Sequence, residues 1–328
     1  MRRDLLILGG AGGTLGLILL GLVLPNWLLF LGTITASHGL VSLGILLLMR
    51  GGVVSFGQGL PFAIGGYAAA LAATRLGIGD ALILTLLGGA SAGLVAAAVA
   101  PLLARYSGIF FGMLTLALSM VLYGILVKWT ALGGSDGFNM SRPSVLGMRM
   151  DGARGEYVLY AFTLAVTGIA SCLVAVLIGS VRGLVTQAIQ ANGLRVEYLG
   201  TNARAVMATN FTLAGVLGGI GGALTVIALG HIEPTFAYWT QSGEFVFVAI
   251  LAGPSSVPAI YVASLLLELV RSFSNLYFPN TWQMALGIFL LAVILFLPNG
   301  IGSLWTRRRK ERSSEPADPI AARRSPAE

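Results

Sequence analysis

Hydrophobic residues run through most of the chain in long blocks, separated by short polar or charged stretches. A helix needs about 20 apolar residues to cross the hydrocarbon core of a bilayer. The blocks that reach this length are Leu5–Leu24, Trp27–Met49, Leu82–Ala104, Ile109–Trp129, Tyr157–Ser180 and Val206–Leu229. Shorter or more polar stretches follow at Phe236–Gly253, Pro258–Phe273 and Trp282–Leu297. The pattern predicts an all-α, polytopic transmembrane helical bundle with about eight to ten membrane helices, some of them short or broken.

One further stretch, Val53–Ala73, has the length of a membrane helix but poor helix chemistry at its start. That start reads Gly51-Gly52-Val53-Val54-Ser55-Phe56-Gly57-Gln58-Gly59-Leu60-Pro61, and glycine and proline weaken or break a helix. In lipid, an interrupted helix survives only where protein or a water-filled cavity satisfies its backbone. Such segments often mark the path of a solute through a transporter. The sequence leaves open whether this stretch crosses as one helix or enters and breaks.

Composition supports an integral membrane protein and gives little sign of catalysis. The chain is 56% hydrophobic and only 10% charged, against about 25% charged residues in a soluble domain. Its net charge of +7 does not indicate a nucleic-acid partner, because the basic residues lie in loops and a tail. The sequence contains no P-loop, HExxH or GxSxG motif, and its only cysteine is Cys172. We therefore expect no catalytic or metal site in this chain.

The basic residues also predict how the chain is oriented. With the N-terminus in the cytoplasm, 14 of the 20 lysines and arginines lie inside and six outside, in agreement with the positive-inside rule. This distribution predicts an even number of crossings with both termini cytoplasmic. Residues 1–305 then form the membrane domain. Thr306–Glu328 is predicted to be a disordered tail, which the basic cluster Arg307–Lys310 anchors to anionic lipid headgroups.

A few polar side chains fall within the apolar stretches and need partners, because an unpaired charge in a membrane is costly. We expect Glu268 to pair with Arg271, three residues further along one helix face. Glu244 has no basic residue within four positions. It either caps a helix that begins near Ser242 or has a functional role. His38 is interpreted as a neutral, hydrogen-bonded imidazole at a helix contact, with a role in lining a pathway as the alternative. His231, in an outer loop, is expected to be solvated.

Two polar connections are long enough to contact partners of their own. Thr130–Glu156 is predicted to lie outside and is either a plain connection or a docking surface for a soluble protein. Val181–Ala205 is predicted to lie inside as a short amphipathic helix interrupted by Gly193. Its apolar stripe consists of Ala188, Ile189, Leu194, Tyr198 and Leu199. Such a helix can lie on the lipid surface or dock in the groove of a cytoplasmic partner, and periodicity alone does not decide between the two.

Six motifs in order along the chain resemble those of the permease subunits of branched-chain amino-acid ABC importers. They are Val53–Gly59 with Phe62–Tyr67, Arg105–Gly112 with Leu114–Ala117, Gly133–Gly137, Ala188–Asn192 with Leu199-Gly200, Ser242–Gly253, and Phe296–Gly300. The resemblance covers the chain from about residue 36 to residue 303, and the common order of the motifs makes it specific. The chain departs from the family at Gln58, where the family commonly has histidine.

The resemblance implies a division of labour among several subunits in a bacterial inner membrane. A second permease, expected to be a sister chain, completes the pore. Two cytoplasmic ATPases bind ATP-Mg, so this chain needs no cofactor, and a periplasmic binding protein delivers the solute. The residues expected to contact the ATPases are Ala188, Ile189, Asn192, Arg195, Glu197, Leu199 and Gly200. The residues expected along the solute pathway are Ser55, Gly57, Gln58, Gly65, Gly66, Tyr67, Thr115 and Glu244.

The resemblance leaves the solute and the energy source open. Branched-chain amino acids are the expected solutes, but urea, short amides and aromatic acids are carried by systems with similar permeases. The alternative from another class is a secondary transporter driven by a proton or sodium gradient. That transporter would need a titratable group within the membrane, such as Glu244, to couple the gradient to transport.

Overall fold

The apolar blocks of the sequence form helices, and the polar stretches form the connections between them, one of which contains a helix of its own. The computed structural model describes residues 2–145, 147, 152–254, 256–277, 281–296 and 300–302. Its helices are α1 (Arg2–Leu20), α2 (Asn26–Met49), α3 (Gly59–Arg75), α4 (Ala81–Leu103), α5 (Gly108–Lys128), α6 (Gly152–Ile178), α7 (Val181–Tyr198), α8 (Ala203–Leu229), α9 (Trp239–Ala252), α10 (Val257–Tyr277) and α11 (Trp282–Phe296). The predicted all-α helical bundle is confirmed.

The described helices differ in their ability to cross a membrane. Six are long and apolar enough to do so: α2, α4, α5, most of α6, α8 and α10. The helices α3, α9 and α11 are shorter, with 17, 14 and 15 residues. The sequence predicted α9 and α11 as shorter or more polar stretches, whereas it assigned α3 full membrane length and underestimated α10. The predicted tail Thr306–Glu328 lies outside the described residues, as do Leu297–Asn299 of the last motif and residues 148–151 of the polar connection.

Helix α8 lies at the centre of the bundle and packs against α2, α3 and α4. Glycines make this packing close: a Cβ added to Gly219 would collide with the Gly88 carbonyl and the Ala92 side chain of α4. A Cβ at Gly65 of α3 would collide with the backbone of Gly219, and one at Gly222 of α8 would collide with the Phe62 carbonyl of α3. Small residues at helix crossings let backbones approach in this way. At these positions, glycine therefore allows the backbones of α3 and α4 to pack closely against α8.

The glycine-rich stretch begins with a non-helical segment and continues as a short helix. Helix α2 ends at Met49, residues 51–58 are not helical, and α3 begins only at Gly59. Gly52 has a φ of +82°, a conformation that glycine adopts without strain and that L-residues rarely adopt. The structure thus resolves the choice left open by the sequence, since the stretch is a broken element and not one continuous helix.

Contacts at the two ends of the bundle show which segments share a side. At one end, the Arg50 Nε donates to the Pro254 carbonyl at 3.1 Å, and Gly52 lies against Gln190 of α7. The end of α2, helix α7 and the turn after α9 therefore lie together. This grouping agrees with the alternation of crossings that the sequence predicts between Arg50 and Val181.

The opposite end carries the first part of the long polar connection, which folds onto the bundle. Its strand β1 (Phe138–Asn139) pairs antiparallel with β2 (His231–Ile232) after α8. The Met140 N–H donates to the Gly230 carbonyl at 2.8 Å. The His231 Nδ1 lies 2.7 Å from the Asn139 Oδ1. The expectation that His231 is merely solvated is therefore wrong, because this side chain fixes the two-stranded pair.

Candidate solute pathway and coupling surface

The broken segment is held between α5 and α9 by short contacts to its backbone. The Phe56 N–H donates to the Thr115 Oγ1 of α5 at 3.2 Å. The Gly59 N–H donates to the Ser242 Oγ of α9 at 2.9 Å. Gly57 lies so close to α5 that a Cβ would collide with the Thr115 carbonyl. The structure therefore brings together Gly57 and Thr115, which the sequence places 58 positions apart.

The polar side chains of this segment are enclosed. Ser55 and Gln58 are each 1% exposed, and Thr115 is 3% exposed. Gln58 points towards α8, since its Oε1 lies 3.2 Å from a Cβ built on Gly218. That oxygen has no hydrogen-bond partner among the described residues, and a buried polar atom without a partner is uncommon and costly. This part of the predicted pathway is thus packed shut in this conformation, with the Gln58 Oε1 as an unsatisfied acceptor.

The other predicted pathway residues of this stretch lie about two turns into α3. They make packing contacts with neighbouring elements. Gly65 packs on the backbone of Gly219, and a Cβ at Gly66 would lie 2.9 Å from side-chain atoms of Ile232 and Val226. Tyr67 is buried, with its ring 6.1 Å from that of Phe138. Its hydroxyl has no partner among the described residues. In this conformation these residues seat α3 on its neighbours and are separate from the cluster around Gln58.

Beside the broken segment, a hydrogen-bonded pair and an ion pair join α2, α9 and α10. The His38 Nδ1 lies 2.6 Å from the Glu268 Oε1. The Arg271 Nη1 lies 2.9 Å from the Glu244 Oε2. Glu268 makes its hydrogen bond to His38 of α2, and Arg271 bonds to Glu244 of α9. The expected pairing of Glu268 with Arg271 along one helix is therefore present as an electrostatic interaction and not as a hydrogen bond. The expectation of a cap is wrong, since α9 already begins at Trp239 and Glu244 lies within it.

Aromatic rings surround the histidine of this ion-pair cluster. The His38 ring packs edge-on against Phe62 of α3 and Phe245 of α9, with centroids 5.8 and 5.3 Å apart. Phe62 also contacts Phe236, just before α9, at 5.1 Å. The interpretation of His38 as a hydrogen-bonded group at a helix contact is confirmed. Sequence reasoning missed these phenylalanines, because one apolar residue among many carries no local signal of such a contact.

Helix α7 presents its apolar side chains to the outside of the chain. Leu194, Tyr198 and Leu199 are 68%, 90% and 83% exposed, whereas Thr186 and Val196 are buried. The Asn210 Nδ2 of α8 donates to the Thr186 Oγ1 at 3.0 Å. This bond ties the first half of α7 to the central helix of the bundle.

The predicted single amphipathic helix consists of two parts. Asn192 is not helical, with φ −164° and ψ 101°. Its Oδ1 accepts a hydrogen bond from the Arg195 N–H at 3.1 Å, as a residue at the start of a helix does. The chain bends at Asn192, one residue before the glycine at which the sequence predicted an interruption. Ala188, Asn192, Arg195, Glu197 and Gly200 are all exposed and Ile189 is half-buried.

Comparison with known proteins agrees with the motifs. The chain matches the model of the family described as branched-chain amino acid transport system / permease component over residues 27–297. It is similar to the high-affinity branched-chain amino acid transport system permease protein LivM of Salmonella typhimurium, with 23% identity over 317 residues that cover 87% of this chain and 72% of the relative. No solved structure matches the chain. The chain therefore belongs to the family of permease components of branched-chain amino acid transport systems.

Proposed function

We propose that this chain is the permease subunit of an ABC importer that moves branched-chain amino acids or related small solutes across a bacterial inner membrane. The family match over residues 27–297 carries the proposal. The broken segment 51–58 supports it, because irregular backbone at membrane depth is tolerated where protein or a cavity satisfies it. The solute passes this segment, where Ser55, Gly57 and Gln58 lie beside Thr115.

Opening the pathway requires the broken segment to separate from α5 or α9. Two hydrogen bonds resist that movement: Phe56 N–H to Thr115 Oγ1 and Gly59 N–H to Ser242 Oγ. Each contributes about 0.5–1.5 kcal/mol net. Contacts of this strength can hold a closed state and still be broken when ATP binds to partner subunits. This balance suits alternating access, in which the pathway faces one side of the membrane at a time.

Helix α7 is the proposed contact with the ATPases. It exposes large apolar residues at its second half, and such residues are enriched where a helix docks in a partner's groove. Gln190 lies against Gly52, with its Cγ 3.2 Å from a Cβ built there. A shift of α7 is therefore transmitted directly to the turn from which the broken segment begins. Thr186 and Asn210 transmit the same shift to α8.

The polar groups beside the pathway match an amino-acid zwitterion. Ser55 and Gln58 offer hydrogen bonds without a fixed charge. Glu244 and Arg271 offer one charge of each sign on neighbouring helices. Urea or a short amide would need only the uncharged groups. Comparing the uptake of both kinds of solute by one Glu244→Gln, Arg271→Gln variant that keeps its melting temperature therefore distinguishes a zwitterionic solute from a neutral one.

The division of labour is tested by reconstitution. The chain is co-expressed with a sister permease, two ATPases and the binding protein of the same system. Uptake into proteoliposomes is then measured with labelled leucine, urea, a short amide and an aromatic acid. We expect uptake of a branched-chain amino acid that needs both ATP and the binding protein. Uptake by this chain alone, driven by an ion gradient and abolished by Glu244→Gln, would overturn the proposal in favour of a secondary transporter.

A further inference from the structure

A small cleft opens at the end of the bundle where α2 and α6 end and α7 begins. Its walls come from all three of these helices and from α8. The residues that line it are Leu47, Arg50, Leu177, Ile178, Arg182, Gly183, Thr186 and Asn210. Two of them are arginines, and none is acidic. This composition makes the cleft a region of concentrated positive charge in a bundle that carries few charges.

Arg50 is half-buried in this cleft and has no acidic partner among the described residues. Its Nε donates to the Pro254 carbonyl, which fixes the guanidinium but does not neutralise it. The four remaining N–H donors of the guanidinium make no hydrogen bond to a residue in the described part of the chain. Burial lowers the pKa of the Arg50 guanidinium, yet an arginine stays charged at any physiological pH. A half-buried cation of this kind is stabilised by an anion.

Arg182, an exposed residue of α7, supplies a second cation to the lining of the cleft. It lies in the first turn of α7, where Gly183 packs so tightly on the Ile178 carbonyl that a Cβ would collide with it. The tight turn holds α7 against the end of α6. Within the described ranges of the chain, Arg182 forms no ion pair.

The floor of the cleft is held in place by a hydrogen-bonded pair. Thr186 donates to the Arg182 carbonyl at 2.9 Å and accepts from the Asn210 Nδ2 at 3.0 Å. Both side chains are buried, at 4% and 5% exposure. This chain of bonds fixes α7, and with it the backbone that carries Arg182, relative to α8. The backbone position of Arg182 is therefore fixed by the fold.

The remaining wall of the cleft is apolar. Leu47, Leu177 and Ile178 belong to the last turns of two membrane helices and lie directly beside the arginines. A ligand that fits both walls has an anionic head and an apolar tail. Arginine pairs well with phosphate oxygens because its planar fork donates two parallel hydrogen bonds. Basic pockets between membrane helices bind anionic headgroups in this way.

We propose that the cleft between Arg50 and Arg182 binds a phosphate-bearing anion, with the headgroup of an anionic phospholipid as its occupant. The cleft itself encloses only about 10 Å³, so the phosphate lies at its mouth against the two guanidinium groups, and the start of one acyl chain lies on Leu47, Leu177 and Ile178. Bound there, the lipid neutralises Arg50 and joins α2 to α7. The site differs from the proposed solute pathway, and its presence does not depend on which solute the protein carries.

The proposal is tested on the purified full-length chain in nanodiscs. Phosphatidylglycerol is titrated into a phosphatidylcholine background, and retained lipid is counted by native mass spectrometry after transfer to detergent. We expect preferential retention of phosphatidylglycerol by the wild-type chain. Arg50→Gln and Arg182→Gln should each weaken that retention about fivefold to tenfold, the range expected for the loss of one phosphate-contacting arginine. Arg204→Gln is the matched control, because Arg204 is an exposed arginine near the same end but outside the cleft.

Further arms separate the possible outcomes. Thermal melting of each variant identifies a change that merely unfolds the protein, and Arg50→Lys keeps the charge for comparison. Inorganic phosphate at millimolar concentration tests a soluble anion. Stabilisation by phosphate that needs both arginines, without a preference for phosphatidylglycerol, would keep the anion site and assign it to a free anion. Equal retention of phosphatidylglycerol by Arg50→Gln, Arg182→Gln and Arg204→Gln would overturn the proposal.

Discussion

His38 of α2 and Glu268 of α10 form a 2.6 Å contact in the apolar interior, although 230 positions separate them in the sequence. Each side chain is only 9% exposed. The contact lies beside the pair formed by Glu244 and Arg271. Because a buried charge or polar group is costly without its partner, the two pairs fix how α10 packs on α2 and α9. These two pairs therefore join the helices that flank the broken segment, and removing one partner of either pair should destabilise the fold.

Removing one partner of the first pair should destabilise the protein more than removing both. Glu268→Leu leaves the His38 imidazole buried without its acceptor, and we expect it to cost about 3 kcal/mol. The double variant His38→Phe with Glu268→Leu should recover most of that loss, because Phe62 and Phe245 already form an aromatic environment around position 38. Thermal melting and denaturant titration in detergent measure both. Strict additivity of the two single changes would show that the contact contributes nothing to stability.

Glycines at the helix crossings should tolerate no added methyl group, whereas a glycine on an open helix surface should. Gly65→Ala places a Cβ against the backbone of Gly219, which cannot move without displacing α8, so we expect a loss of about 1–3 kcal/mol. Gly124→Ala, in α5, meets nothing within 4 Å and should stabilise the protein by about 0.5–1 kcal/mol. Melting temperatures of the two variants test this contrast. Similar effects at the two positions would contradict the close crossing of α3 and α8.

Gln58 should matter for transport and not for folding. Its Oε1 has no hydrogen-bond partner among the described residues, so replacing the side chain with leucine removes an unsatisfied acceptor and should leave stability unchanged or slightly raised. Uptake of the solute should fall at least about tenfold if that oxygen accepts a hydrogen bond worth about 1.4 kcal/mol from the solute. Gln58→His, which introduces the residue that the resemblance implies at this position, should retain transport with an altered preference among solutes. Unchanged uptake by the leucine variant would remove Gln58 from the pathway.

The sequence predicted which parts of the chain are helical and where a membrane-length stretch is interrupted. Apolar length located α2, α4, α5 and α8, because long runs of this kind have no other stable state in lipid. Glycine and proline content located the break before Gly59. These features are local, so composition and spacing are sufficient to find them.

The contacts that define the candidate site could not be predicted, because they join distant positions. Nothing near Glu268 in the sequence indicates His38, and the local candidate Arg271 bonds instead to Glu244. Likewise, the glycine pattern of α8 is compatible with many partners, and only the fold shows that Gly219 meets Gly65. Spacing can identify which residues need partners, but the tertiary arrangement decides which partners they obtain.

The exposed apolar end of α7 should be needed for association with the ATPases and not for folding of the chain. Tyr198 and Leu199 are 90% and 83% exposed, so Tyr198→Ala with Leu199→Asp removes no contact within the chain and should leave its melting temperature unchanged. Leu76→Asp is the matched control, because Leu76 is 73% exposed but follows α3 at the opposite end. Co-purification with the ATPases should fall about tenfold or more for the α7 variant, since buried aromatic and aliphatic anchors dominate interfaces, and should be unchanged for the control. Equal co-purification of both variants would contradict the assignment of α7 as the coupling helix.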